Sequence, residues 1–185
     1  PSAVAKGEDE ERDERDSFDR APPDRAPLDL LRDGLQADHR DGLEALANLY
    51  SPQELGSLLH DPGMVASLSR VEWLLAHGAV GETRDALGDT PVFALLARGP
   101  EAIPVLRLLL QRGLSPAGAG GLSRFLAASL QGNPSMRGAE AFALELLERG
   151  ADPFAATRAD DPALSLSVRL GWSRLIDRLL DLGVD

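Results

Sequence analysis

The three histidines, His39, His60 and His77, are the first side chains to consider for chemistry. They lie far apart in the sequence and on different predicted helices. No pair has the i,i+4 spacing that places two imidazoles on one helical face to bind zinc. The chain has no cysteine, which excludes a thiol nucleophile, a thiolate metal site and a disulfide scaffold. We expect surface or structural roles for the histidines and no metal site.

Paired carboxylates occur at Asp160–Asp161 and along Glu8–Asp16. General acid–base catalysis needs two such groups converging in a sheltered cleft. These pairs lie in a predicted loop and a predicted flexible tail, so we interpret them as solvated charge. An enzyme would need Asp160, Asp161 and His77 to converge, and neither a nucleophile elbow nor a phosphate-binding P-loop motif is present. We therefore expect a non-enzymatic protein without a cofactor.

A glycine-rich run spans Ala117–Gly121. Glycines ahead of a helix can expose backbone amides that bind phosphate. Here no strand is predicted before the run and no lysine follows it, so the pattern favours a turn.

The length of 185 residues is typical of one domain, and the composition, 43% apolar and 26% charged, is that of a globular protein. No stretch approaches the roughly 18 apolar residues of a membrane span, and the N-terminus lacks the apolar core of a signal peptide. We expect a cytoplasmic protein. The net charge of −11 and the aromatic content of 4% disfavour nucleic-acid binding. Lys6 is the only lysine among 19 basic residues, and this Arg bias indicates a GC-rich, bacterial genome.

Residues 1–27 differ from the rest in carrying many charges and few apolar side chains. Such a segment buries too little surface to offset the entropy lost on ordering. It predicts an acidic, flexible leader. A helix with i,i+4 charge pairs that orders on a partner is the alternative.

Helical periodicity begins after this leader, with Leu28, Leu31 and Leu35 at spacings of three and four. Ser51-Pro52-Gln53-Glu54 has the pattern of a helix start, with a capping serine, proline in the first turn and a capping-box glutamate. No convincing period-2 run of β-branched residues is present, so the fold should be all-α.

Four segments end alike, in a Leu-Leu pair, two further residues and a glycine. The glycines are Gly78, Gly113, Gly150 and Gly183, which lie 35, 37 and 33 residues apart. The leucines can bury one helix face, and the glycine can adopt the left-handed conformation that ends a helix. This periodicity predicts a helical repeat.

Residues Asp85–Ala94 resemble the ankyrin repeat, in which an Asp-Gly turn precedes Thr-Pro-Leu-His at the start of the inner helix. Thr90-Pro91 matches this pattern, whereas Val92 and Phe93 stand where the family has leucine and histidine. Gly150-Ala151-Asp152 matches the end of an ankyrin repeat. HEAT-type or other helical repeats are the main alternative, and the near-33 period argues against them.

The resemblance implies an ankyrin-like solenoid with short hairpin loops in a single domain, residues 28–185. Its parts would be N-terminal capping helices at 28–50, repeat 1 at 51–80, repeat 2 at 81–116, repeat 3 at 117–153 and repeat 4 at 154–185. Each helix pair needs neighbours to bury its apolar face, so stacking of several repeats is required for stability.

An ankyrin stack would present a groove made by hairpin tips and inner helices, and the resemblance implies that this groove binds protein. The candidate partner-binding residues are Arg84, Asp85, Leu87, Asp89, Phe93, Arg98, Arg124, Arg158, Asp160 and Asp161. Phe93 is either an apolar anchor for a partner pocket or a residue packed between repeats.

The negative charge should steer a partner with a basic surface. One fitting class is an immunity or antitoxin-type inhibitor of a basic bacterial toxin. The alternative is an adaptor, chaperone or secreted effector that binds a host or secretion-system protein. We expect the chain to be a monomer by itself, with no nucleic-acid or membrane partner.

Overall fold

A computed structural model describes residues 25–118, 120–157 and 159–185, and the regular structure in these ranges is helical, without a strand. The predicted all-α class is confirmed for this part of the chain. The described residues fall into two compact units, one ending at Leu49 and the other spanning Tyr50–Asp185. The predicted leader, residues 1–27, lies outside the described residues except that the first helix begins at Arg25.

The first unit contains helices α1 (Arg25–Gln36) and α2 (Leu43–Ala47), which pack together. Leu31 and Leu35 are fully buried, as their helical spacing predicts. The α1 backbone approaches Leu43 at Gly34 so closely that a Cβ there would overlap the leucine side chain.

The second unit contains the other helices of the described residues. In chain order they are α3 (Pro52–Ser57), α4 (Pro62–Val65), α5 (Leu68–Ala76), α6 (Pro91–Leu96), α7 (Ile103–Gln111), α8 (Gly121–Gln131), α9 (Ala139–Glu148), α10 (Ala163–Leu170) and α11 (Ser173–Asp181). Short 3-10 turns, Leu58–His60 and Gly99–Ala102, precede α4 and α7.

Consecutive helices of the second unit pack in pairs, α6 with α7, α8 with α9 and α10 with α11. Contacts between pairs run from α6 to α8 and from α8 to α10, while α5 meets α7 and α9 meets α11. The rings of Phe125 and Phe142 meet edge to face in the core between α8 and α9, with centroids 5.3 Å apart. Trp172 is also buried, 6.5 Å from Phe125. The α8 helix is therefore fixed by neighbours from both flanking pairs.

Helix starts follow local sequence. The capping box predicted at Ser51 is present: the Glu54 amide donates to Ser51 Oγ at 3.1 Å, and the Ser51 amide donates to Glu54 Oε1 at 3.2 Å. Thr90 caps α6 through its side chain, which accepts the Phe93 amide at 3.5 Å. Asp61 begins α4, because its carboxylate accepts the Gly63 amide at 2.8 Å.

The four helix ends singled out in the sequence share one geometry. Gly78, Gly113, Gly150 and Gly183 have φ values of 92°, 88°, 102° and 86°. After each glycine the next amide reaches back to a helix carbonyl, as Leu114 does to Leu109 at 3.2 Å. The predicted left-handed glycine ends are confirmed, and each satisfies carbonyls that the helix itself leaves unpaired.

Candidate functional site: a cleft between two turns and the α8 helix

The turn before α6 is held by Asp85. Its Oδ1 accepts the amides of Leu87 and Asp89, each at 2.9 Å, and its own amide donates to the Asp89 carbonyl at 3.0 Å. Gly88 has φ of 79° and donates to the Asp85 carbonyl. Arg84 closes the turn from outside by donating from its guanidinium to the Gly88 carbonyl at 2.7 Å. Asp85 is therefore occupied in forming the turn, while Leu87 is left 69% exposed at its tip.

The turn before α10 repeats this pattern. The Thr157 amide donates to the Asp161 carbonyl at 3.0 Å, and the Asp160 amide donates to the Thr157 carbonyl at 2.9 Å. Asp160 has a left-handed φ of 64°, which corresponds to Gly88 in the first turn. Thr157 Oγ1 accepts the Asp161 amide at 3.1 Å, in the role that the Asp85 carboxylate has before α6.

An ion pair joins the first turn to α8. Arg124 lies 3.0 Å from the Asp89 carboxylate, and the two side chains are only 15% and 13% exposed. The same guanidinium lies over the Phe93 ring, 5.3 Å from its centroid, and donates to the Phe93 carbonyl at 3.4 Å. Arg124 is thus engaged by α6 and its preceding turn, which fixes the spacing between α6 and α8.

The glycine-rich run packs against Phe93 rather than forming an open loop. A Cβ at Gly118 would overlap the Phe93 ring, and one at Gly121 would come within 3.1 Å of it. At Gly120 a Cβ would lie 2.5 Å from the Ala156 carbonyl of the next turn. Glycine is therefore needed here for close approach of two neighbours. Phe93 is half-buried, which supports the interpretation that it is a packed residue.

Two adjoining depressions lie above these contacts and share Asp89, Arg124 and Thr157. We call them together the cleft. The first, of about 560 Å³, is the aromatic half and adds Arg84, Phe93, Ala117, Gly118 and Ala156. The second, of about 380 Å³, is the aliphatic half and adds Leu87, Ala97, Ala127, Ala128, Gln131, Ala159 and Asp161.

The structure brings most of the predicted partner-binding residues to this cleft. Those that line it are Arg84, Leu87, Asp89, Phe93, Arg124 and Asp161. Asp85 and Asp160 belong to the two turns that form its rim. Arg98 lines a separate depression with Val65, Leu68 and Pro104, and Arg158 lies outside the described residues.

Sequence reasoning missed the residues of α8 that line the aliphatic half. Ala127, Ala128 and Gln131 follow Arg124 at spacings of three, four and seven, so they share its helical face. This helical spacing from Arg124 is the sequence signal by which they could have been found. A Cβ on Gly99 would lie 3.2 Å from that of Ala128, so the α8 floor packs tightly on the turn after α6. Phe154, 65% exposed in the loop before α10, was also not singled out.

The histidines with described contacts bond to backbone. His60 Nε2 donates to the Thr83 carbonyl at 2.7 Å, and its Nδ1 lies 3.9 Å from Asp85 Oδ2. His77 donates from Nδ1 to the Trp73 carbonyl at 2.7 Å and stacks on the Trp73 ring. His77 lines neither half of the cleft, so it does not converge there with Asp161.

The described residues contain no group of three His, Asp or Glu side chains arranged to hold a metal ion. Within the same residues, none of the helices combines the length and apolar character needed to cross a bilayer. No protein-family model matches the sequence, and a search of curated proteins finds no match.

Proposed function

We propose that the chain is a non-enzymatic, ankyrin-like repeat protein whose cleft binds a partner protein. The repeat interpretation is supported by the four equivalent glycine ends and by the two turns with the same hydrogen bonds, at Asp85–Asp89 and Thr157–Asp161.

The observation that carries the binding proposal is the cleft itself. It is open and lined by turn tips and a helix face, and it exposes Leu87 beside small alanine side chains and a carboxylate. Such a surface suits a protein segment, which supplies both apolar and polar side chains. The residues that meet in it, Asp89 and Arg124, neutralise each other rather than forming an acid–base pair.

The partner that we propose has a basic surface, because the chain carries 30 acidic and 19 basic side chains. Within that class we propose a basic bacterial toxin that the chain holds inactive in the cytoplasm. An acidic inhibitor of a basic enzyme gains a fast encounter through long-range attraction.

The test is affinity capture from the source organism's lysate with the full chain and with two charge-matched variants. The cleft variant carries Leu87→Arg and Ala117→Arg, one exposed residue from each half. The control carries Val168→Arg and Leu180→Arg, which are 59% and 54% exposed on α10 and α11. Both variants raise the net charge equally, and thermal melts check that both fold.

We expect a stoichiometric basic protein to bind the full chain and the control but not the cleft variant. Equal capture by all three proteins would show that the partner does not bind at the cleft. Capture of a secretion-system component or a host protein would favour an adaptor or effector, and would contradict the toxin-inhibitor proposal.

A further inference from the structure

We infer that the aliphatic half of the cleft binds a partner segment that carries an aliphatic side chain next to a lysine or arginine. The inference rests on the proposed protein-binding function and adds the chemistry of the segment. Three features of this half support it: its floor, its wall and its charge.

The floor of the aliphatic half is made of methyl groups. Ala97 lies at the end of α6, and Ala127 and Ala128 lie on α8. The short side chains leave a depression of about 380 Å³, and the Leu87 side chain forms an exposed wall beside it. Gln131 and Thr157 also line this half, but the three alanine side chains offer no hydrogen-bond donor or acceptor, so a polar group bound over them would lose its hydrogen bonds to water. An aliphatic side chain loses none and gains contact with Leu87.

The charge of this half comes from Asp161. The backbone amide and carbonyl of this residue bond to Thr157, which holds it in the turn. Among the described residues, no cation forms a salt bridge with its carboxylate. The other carboxylate of the aliphatic half, Asp89, is already paired with Arg124 at 3.0 Å. Among the described residues that line this half, the charge left to be neutralised is therefore negative, and a lysine or arginine of the partner complements it.

The aromatic half sets the direction of the segment. Its exposed charge is the Arg84 guanidinium, and its ring, Phe93, is covered by Gly118 and by Arg124. A basic side chain placed there would meet a like charge. The aliphatic side chain of the segment therefore lies over Ala127, with its basic neighbour towards Asp161 and away from Arg84.

The test uses a phage-displayed library of random linear peptides, selected against the full chain. Selected peptides are synthesised, and their affinities are measured by calorimetry. We expect the peptides to share an aliphatic residue within two positions of a lysine or arginine. Ala127→Leu fills the floor and should weaken binding roughly tenfold or more. Asp161→Asn removes the charge of a partly exposed carboxylate and should weaken binding about two- to fivefold.

Matched controls lie on other surfaces. Ala141→Leu on α9 and Asp177→Asn on α11 make the same chemical changes at exposed positions outside the cleft, and binding should stay the same. Peptides without the aliphatic–basic pair, affinities unchanged by both cleft variants, or a library that yields no binder would each overturn the inference. Peptides that lose affinity with Ala117→Arg but not with Ala127→Leu would also overturn it, while leaving the cleft as a protein-binding site. The lysate capture decides that proposed function separately.

Discussion

At the scale of single residues, the Phe93 ring determines how its neighbours pack. Its ring occupies the space in which a side chain at position 118 would lie, leaves only tight contact for one at position 121, and lies beneath the guanidinium of Arg124. Arg124 can then reach Asp89 while remaining mostly buried. The large ring at position 93 therefore requires glycine at position 118, and the effects of substituting these two residues on stability should be coupled.

This coupling gives a prediction for Gly118→Ala. The substitution adds a Cβ against the Phe93 ring at a residue whose φ is 142°, where side chains are strained. We expect the free energy of unfolding to fall by about 2–4 kcal/mol. In a Phe93→Ala background the overlap is gone, so the same substitution should cost about 1–2 kcal/mol less. Urea unfolding of the four proteins of the double-mutant cycle measures the difference.

Gly88→Ala is the control for backbone strain alone. Its φ is 79°, and an added Cβ would meet nothing within 4 Å. It should cost about 1 kcal/mol in either background. If Gly118→Ala were equally costly with and without the Phe93 ring, the packing of the glycine run against Phe93 would be refuted.

At the scale of secondary-structure elements, the helix ends show which hydrogen bonds local sequence determines and which depend on tertiary packing. The Ser51 capping box and the Thr90 cap involve residues three apart, so their patterns can be read directly. The sequence around Asp61 does not by itself indicate that a helix begins there, because Asp-Pro-Gly is equally typical of a turn. The turns at Asp85 and Thr157 could be anticipated, whereas the Asp89–Arg124 pair depends on how α6 and α8 pack.

The start of α11 depends on tertiary contact in the same way. Trp172 precedes the helix, and its side chain makes no capping hydrogen bond. Glu140 of α9 supplies the cap: its Oε2 accepts the amides of Arg174 and Leu175 at 3.0 and 3.3 Å, and its Oε1 accepts Arg174 Nε at 3.1 Å. A carboxylate also suits the positive end of the helix dipole. No local sequence pattern around α11 indicates this partner.

Glu140→Ala should therefore destabilise the chain by about 1–2 kcal/mol, the usual value for a lost cap. Glu148→Ala, an exposed residue at the other end of α9, should change stability by less than about 0.5 kcal/mol. Guanidinium unfolding followed by circular dichroism compares the two. Equal stability of both variants would show that the cap at α11 contributes nothing.

At the scale of the whole molecule, the net charge of −11 acts over longer distances than any contact in the cleft. At physiological ionic strength the screening length is about 8 Å, so only charges near the binding surface steer the final approach. The carboxylates near the cleft, Asp160 and Asp161, should matter more for association than equal charges elsewhere. Contacts within the cleft should instead set the rate of dissociation.

The corresponding prediction concerns association with the partner identified by capture. Raising the salt concentration from about 50 to 500 mM should lower the association rate roughly tenfold or more, with little change in the dissociation rate. Asp160→Asn with Asp161→Asn should reduce the low-salt association rate more than Asp177→Asn with Asp181→Asn, exposed residues on α11 that change the net charge equally. Stopped-flow fluorescence measures both rates. Equal rates for the two double variants would mean that only the total charge acts, and a rate independent of salt would mean that the acidity does not steer the partner at all.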